Sequence, residues 1–321
     1  MKKEQMIRLD SDALSRNFDD TASAFLARQL THVRAQTIQV TQAPLNAFML
    51  FPVQTEIPVG ADTALQRYYD MVGSAAIIAN PADDLPRADI VAQEKSVKVK
   101  DIGASYGYSV KDLENASFAN LPLSTMKAGA VRRAIDVKLN KIAFKGDSTH
   151  GIVGFLDNEN LNEVTLPADG TGSSTKFSTK TPVQMYRDMS NFIESVPTIT
   201  EDTEKMNTIA LAPAAYNALA STLYVSENGQ TTQTVLQMLK AQYPEIQRWL
   251  KIGELKGAGT GNTDVMVGGY FDPSYIRLEI PKRFDQRPVQ EKNLMYIVNC
   301  LSSTVGVTVF RPYTFSIAEG V

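Results

Sequence analysis

The residues whose types and spacing most invite chemistry are Gly103-Ala104-Ser105-Tyr106-Gly107, a match to the G-x-S-x-G pattern. That pattern sets a serine nucleophile on a sharp turn between a strand and a helix. Such a serine needs a histidine base placed late in the chain. The chain holds 2 histidines, His32 and His150, and neither lies in its second half. The alternating strand–helix units that this hydrolase fold requires are not evident in the first hundred residues. The five residues therefore read as a glycine-permitted bend between a strand and a helix. A serine hydrolase using Ser105 is kept as the enzymatic alternative.

Other chemical motifs are weaker. Gly257-Ala258-Gly259-Thr260-Gly261 and Gly170-Thr171-Gly172-Ser173-Ser174-Thr175-Lys176 are glycine-rich, but neither has the order of a phosphate-binding P-loop or sits between strand and helix. His32 has Arg28 and Gln36 four residues to either side, neither a usual metal ligand. Cys300 is the only cysteine and lies in the apolar run Ile297-Val298-Asn299-Cys300-Leu301, where a thiol behaves as a small hydrophobe. That leaves no disulfide framework and no cysteine-rich metal site. Trp249, beside Leu250 and near Tyr243, reads as core. No catalytic residue, cofactor site or metal site is assigned, and the chain is not expected to be an enzyme.

The elements that could position a site come next. The chain has 321 residues, 43% hydrophobic and 21% charged, enough for one large or two modest domains with an apolar core. Lys+Arg is 32 against Asp+Glu 35, without the basic excess of a protein that lives on free nucleic acid. Met1-Lys2-Lys3 is followed by Glu4, Arg8, Asp10 and Asp12, where a signal peptide would be apolar. No apolar run reaches the ~20 residues of a membrane span, so a soluble, intracellularly made protein is expected.

Phe25, Leu26, Leu30 and Val33 recur at helical spacing over 19–33. A lone helix of that length is marginal, so its apolar stripe needs another surface. Residues 37–59, with Pro44, Pro52 and Pro58, read as extended chain, and the run Phe48-Met49-Leu50-Phe51 needs a partner surface as well. From 60 to 107 the pattern is a long hairpin. Tyr68–Ala79 leads out, Asn80–Pro86 turns, and Val97 and Val99 alternate with Lys98 and Lys100 on return. Two strands alone are marginally stable. Ser109 caps a short helix through Phe118, and Ser124 caps a long one ending at Gly146. A turn-rich stretch covers 147–180, and a helix opens at Thr181-Pro182 with Tyr186, Met189, Ile193 and Val196 on one face. Helices from Pro213 and over 232–243 follow, with strands at 209–211, 246–255, 265–267, 276–280, 295–301 and 305–310. The class is α+β. Residues 87–145 hold 11 basic and 6 acidic residues, whereas 146–230 hold 4 basic and 11 acidic. Fields of opposite sign on one chain either face solvent or steer copies together.

The order of these parts resembles the major capsid protein of tailed bacteriophages, the Hong Kong 97-type fold also used by encapsulin shells. The resemblance rests on Phe25-Leu26-Ala27-Arg28-Gln29-Leu30, on Ala82-Asp83-Asp84-Leu85-Pro86-Arg87, and on Ser105-Tyr106-Gly107-Tyr108-Ser109. It continues through Arg132-Arg133-Ala134-Ile135, Phe144-Lys145-Gly146-Asp147 and His150-Gly151-Ile152-Val153-Gly154-Phe155-Leu156-Asp157-Asn158, then Pro167–Gly172, Leu255–Gly259 and Leu278-Glu279-Ile280-Pro281. Asp157 departs from the asparagine more frequent in that turn.

The resemblance implies an N-arm at 1–59, an E-loop hairpin at 60–105 and a P-domain with a long spine helix at 106–189. An A-domain at 190–290 and closing strands returning to the P-domain at 291–321 complete it. It implies self-assembly into hexamers and pentamers of an icosahedral shell around double-stranded DNA, held without sequence-specific binding. Separate scaffold, portal and decoration proteins, a place in the virion capsid and assembly in the bacterial host cytoplasm are implied too. No large scaffolding segment precedes the arm, so any scaffold is expected to be a separate protein. Phe25, Leu26, Leu30, Phe48, Phe51, Arg87, Lys98 and Lys100 are the expected subunit contacts. Some capsids of this kind cross-link lysine to asparagine; Lys95 and Lys98 stand in the hairpin, but no asparagine or glutamate partner is identifiable. An encapsulin-like compartment is the structural alternative.

Overall fold

The computed structural model describes residues 42–72, 89–119, 121–226 and 229–321. The chain divides at Pro44 into residues 1–44 and 45–321. Of the first unit only 42–44 are described, without regular secondary structure. The expected helix over 19–33 and the hairpin turn at 80–86 lie outside the described residues.

The second unit is built on a five-stranded sheet. Its strands are β5 (Asn162–Glu163), β6 (Thr208–Leu211), β9 (Arg248–Lys251), β10 (Val265–Gly269) and β16 (Phe315–Glu319), ordered β5-β16-β10-β6-β9. Alternation along these strands divides the core between the two faces. Ile209, Leu211, Met266 and Ala318 face one cluster with helices α4 (Pro182–Ile199), α5 (Pro213–Ser221) and α6 (Val235–Gln242). Ala210, Val265, Val267, Phe315 and Ile317 face a second cluster, which also receives helix α3 (Leu123–Lys145). Near α4, Lys180 has a wholly buried side chain bonded to Asp188 and to the Pro167 carbonyl at 2.7 Å. Arg187 bridges Asp188 and Asp169, each at 2.6 Å. Every charge in this group is paired, which a buried charge requires.

A second layer consists of β1 (Val53–Gln54), β11 (Ile276–Glu279) and β15 (Gly306–Val309), in the order β1-β11-β15. Beside it, β14 (Met295–Thr304) pairs with β12 (Lys282–Gln286), β13 (Gln290–Lys292) and, over ten residue pairs, β4 (Lys100–Ser109). The hairpin is the ribbon of β2 (Thr63–Val72) and β3 (Asp89–Lys98). β7 (Leu223–Ser226) pairs with β8 (Gly229–Thr234).

Three expectations change. The glycine-serine motif is not a bend: residues 103–107 lie inside β4, with Ser105 opposite Asn299, and helix α2 (Val110–Phe118) starts after it. The strand-to-helix turn of a nucleophile elbow is therefore not formed. Ser124 is not a cap, because α3 begins at Leu123 with Pro122 at its N-cap, two residues earlier than a Ser124 cap would place it. The helix expected from Thr232 begins at Val235, with Thr234 capping it and the preceding residues in β8. Ser109, by contrast, caps α2 with a reciprocal bond to Asp112, and Thr181 does the same for α4 with Gln184.

Candidate subunit-contact surfaces

The run Phe48-Met49-Leu50-Phe51, expected to need another surface, finds most of it inside the chain. Residues Ala47–Leu50 form a one-turn helix, α1, rather than extended chain. Its first N–H groups are taken by distant side chains, Ala47 donating to Asn140 Oδ1 at 2.8 Å and Asn46 to Glu254 at 3.2 Å. Phe51 is 2% exposed and touches Phe144, Phe155 and Phe271 in an aromatic cluster with centroids 5.3–6.0 Å apart. As a subunit contact Phe51 is thus corrected: burial in its own core puts it beyond a neighbour's reach. Phe48 is half-buried, with the Arg283 guanidinium 5.6 Å above its ring.

The turn after α3 completes that core. Gly146 takes φ 65°, and a Cβ there would lie 2.3 Å from the Ile152 carbonyl, so the chain can fold back only over glycine. Phe155 and Leu156 then donate to the Ala143 and Phe144 carbonyls, each at 2.9 Å. Asp147 accepts from Lys138 at 2.8 Å and meets His150 at 3.0 Å; these bonds hold its carboxyl well below the usual carboxylate range.

Two surfaces remain uncovered among the described residues. The first is the β2–β3 ribbon, ten paired residues or about 33 Å long. Register and alternation put Leu65, Tyr69 and Ile90 on one face with the Arg67–Glu94 ion pair between them; the three apolar side chains are 62%, 67% and 62% exposed. An exposed ion pair adds little stability, and among the described residues that apolar face stays exposed. The second surface gathers round α2. Val110 N–H donates to the Leu294 carbonyl at 3.1 Å, which sets the exposed Leu294 and Met295 beside the helix bearing Leu113 and Phe118, the last 95% exposed. Large apolar side chains left exposed in this way are candidates for an interaction site.

Lys98 ends β3, and Lys100 opens β4 opposite Thr304. Phe25, Leu26, Leu30 and Arg87 lie outside the described residues. Sequence reasoning did not single out Phe118, at the end of α2, or Leu294, and their exposure follows only from the fold. Among the described residues, no group of three or more His, Cys, Asp or Glu could hold a metal ion, and no helix is long and apolar enough to cross a membrane. Ser105 is exposed on a regular strand and His150 engages Asp147.

Comparison with known proteins decides what these surfaces belong to. A family model described as major capsid protein matches residues 73–321. The chain belongs to the major capsid protein family. The fold agrees: this capsid protein is similar to the capsid protein of Myoviridae phage XM1, with a TM-score of 0.79 at 17% identity over 93% of this chain and 99% of that one. It is also similar to the capsid of the native GTA particle, with a TM-score of 0.64, 10% identity and coverage of 94% and 99%. For the Mycobacterium phage Ogopogo structure the TM-score is 0.57, the identity 14% and the coverage 92% and 99%. No curated protein sequence matches the chain. The capsid protein has the α+β Hong Kong 97-type fold that the resemblance implied.

Proposed function

We propose that this capsid protein builds an icosahedral head of hexamers and pentamers around double-stranded DNA of a tailed phage, and that it has no catalytic role. The observation that carries the reading is the β2–β3 ribbon, whose apolar face finds no cover among the described residues. A neighbouring copy supplies that cover, and identical copies using identical patches close into a symmetric shell. The divisions 1–59, 60–105, 106–189, 190–290 and 291–321 serve as arm, hairpin, spine-bearing part, axial part and closing strands. The five-stranded sheet crosses the last boundary, since β16 pairs with β10. Phe25, Leu26, Leu30, Phe48, Arg87, Lys98 and Lys100 are proposed contacts, joined by Tyr69 and Phe118. With a formal charge of −3, the subunit holds DNA by enclosure rather than attraction. Scaffold, portal and decoration proteins act as separate partners in the host cytoplasm.

Electron microscopy of the purified chain tests this. Closed shells are expected; a monodisperse monomer at high concentration, with the ribbon folded onto its own body, overturns it.

A further inference from the structure

The ribbon and the body part at one point. β4 pairs with β14 as far as Lys100↔Thr304, but one residue earlier, at Val99, the same strand turns away as β3 and pairs with β2. β14 runs on into β15, which pairs with β11. A cavity of about 650 Å³ fills the fork, walled by residues 95–98 on one side, by Val305 and residues 307–309 on another, and by the turn between His150 and Asn160 on a third.

The first two walls are open strand edges. In an antiparallel ladder, alternate residues turn their backbone groups toward the same neighbour. Phe310 N–H donates to the Tyr275 carbonyl at 2.8 Å, so even-numbered residues of β15 face β11, and Val307 and Val309 face the cavity. Val99 N–H donates to the Asp62 carbonyl at 2.9 Å, so odd-numbered residues of this strand face β2, and Ser96 and Lys98 face the cavity. β3 and β15 are each the last strand of their sheet among the described residues, and since β4 runs antiparallel to β14, a β3 continuing in line with β4 would meet β15 antiparallel.

The register between them is already fixed. Val110 N–H donates to the Leu294 carbonyl at 3.1 Å, so even-numbered residues of β14 face β4. Past Thr304 the parity switches, at a bulge of Val305 and Gly306 where Gly306 takes φ 92°. A bulge sets two residues against one. Continuing the ladder beyond it places Lys98 opposite Val307 and Ser96 opposite Val309, donors against acceptors. A one-residue slip would set inward-facing groups against outward-facing ones.

We infer that this fork is a two-position zipper: open as in this structure, and closed when β3 swings about Val99 and adds to the free edge of β15. Closing pairs exposed edges that are otherwise a liability and narrows the cavity toward the turn between His150 and Asn160. Resting on the shell reading above, it gives the ribbon two discrete angles to the body, one for each of two unlike surroundings in a closed lattice.

The test is oxidation of the full chain carrying S96C/V309C, followed by peptide mapping in the soluble and assembled states. Hydrogen-bonded antiparallel partners have Cα atoms about 5.5 Å apart, within disulfide range. The native Cys300, 1% exposed, does not compete. A 96–309 bond within one chain is expected, in at least roughly tenfold higher yield than in V97C/V309C, whose thiols point to opposite sheet faces. In the wild-type chain, amides of Ser96, Lys98, Val307 and Val309 are expected to exchange roughly tenfold more slowly in one of the two states. Equal yields in both variants, exchange that never slows, or a bond from the thiol at position 309 to another chain each overturn the zipper. If the wild-type chain forms no shells, the shell reading falls, while the soluble chain still reports on the fork.

Discussion

The side-chain carbonyl of Asn140 on α3 accepts the backbone N–H of Ala47, 93 residues earlier, at 2.8 Å inside the core. Its amide donates to Glu254 at 2.8 Å, and Glu254 also accepts from Asn46. One side chain thus ties the incoming chain, the long helix and the loop after β9. Replacing it with leucine leaves a buried N–H and a carboxylate short of a partner, at a cost of about 1–3 kcal/mol. Denaturant unfolding of the soluble chain is expected to show that loss, and Asn140→Asp is expected to cost more at neutral pH, because it keeps the Ala47 acceptor but sets a second carboxylate against Glu254.

The Lys180–Asp188 pair is buried on both sides. Removing Lys180 leaves Asp188 with Arg187 as its remaining partner, so the cost is expected to fall below the about 3–5 kcal/mol of a buried charge left wholly unpaired. Lys180→Met is expected to lower the unfolding midpoint. Lys180→Met combined with Asp188→Leu is expected to recover part of that loss, whereas a double variant as unstable as the sum of both singles would contradict the pairing.

Phe51 and Phe118 are the same residue type in opposite roles. Phe51→Ala empties part of the aromatic cluster and is expected to cost about 3–5 kcal/mol of folding stability. Phe118→Ala touches almost nothing in the chain and is expected to change folding by about 0.5 kcal/mol or less, while reducing shell yield. Calorimetry of the soluble chain and electron microscopy of assembled material separate the two effects.

Leu65→Glu and Tyr69→Glu charge the uncovered ribbon face. Each is expected to leave far-ultraviolet circular dichroism unchanged and to block shell closure, as seen by sedimentation. Normal shells from the double variant would show that this face meets no neighbour.

Glu279 is buried on β11, and desolvation raises its pKa despite the bond from Thr308 at 3.2 Å. A carboxyl whose folded pKa lies above its unfolded value binds a proton more tightly when folded. Folding therefore gains as pH falls from above the raised value to below the unfolded one, and loses as the group ionises. Glu279→Gln keeps the acceptor for Thr308. It is expected to raise stability at neutral pH and flatten the pH dependence above the ordinary glutamate range, as read by thermal unfolding at several pH values.

Much of this architecture is legible from local signals. Reciprocal caps at Ser109 and Thr181, the stripe Ile135, Leu139 and Ile142, and the alternation through Val97 are each written in a few neighbouring residues. What is not legible depends on partners far along the chain. Gly103–Gly107 carries no local mark showing that β14 will hold it straight. The run 48–51 looks unpartnered until Phe144, Phe155 and Phe271 surround it. Phe118 gives the opposite lesson, since its spacing fits a helix face but its exposure follows only from what the fold leaves bare.

Cys300 is the chain's single thiol, and it is sealed inside β14, where burial also raises its pKa. An intact particle would therefore be silent toward thiol reagents. One cysteine introduced at an exposed residue outside the proposed contacts, such as Lys176, becomes a unique chemical address on every copy, and a maleimide dye counted per particle would give the copy number directly.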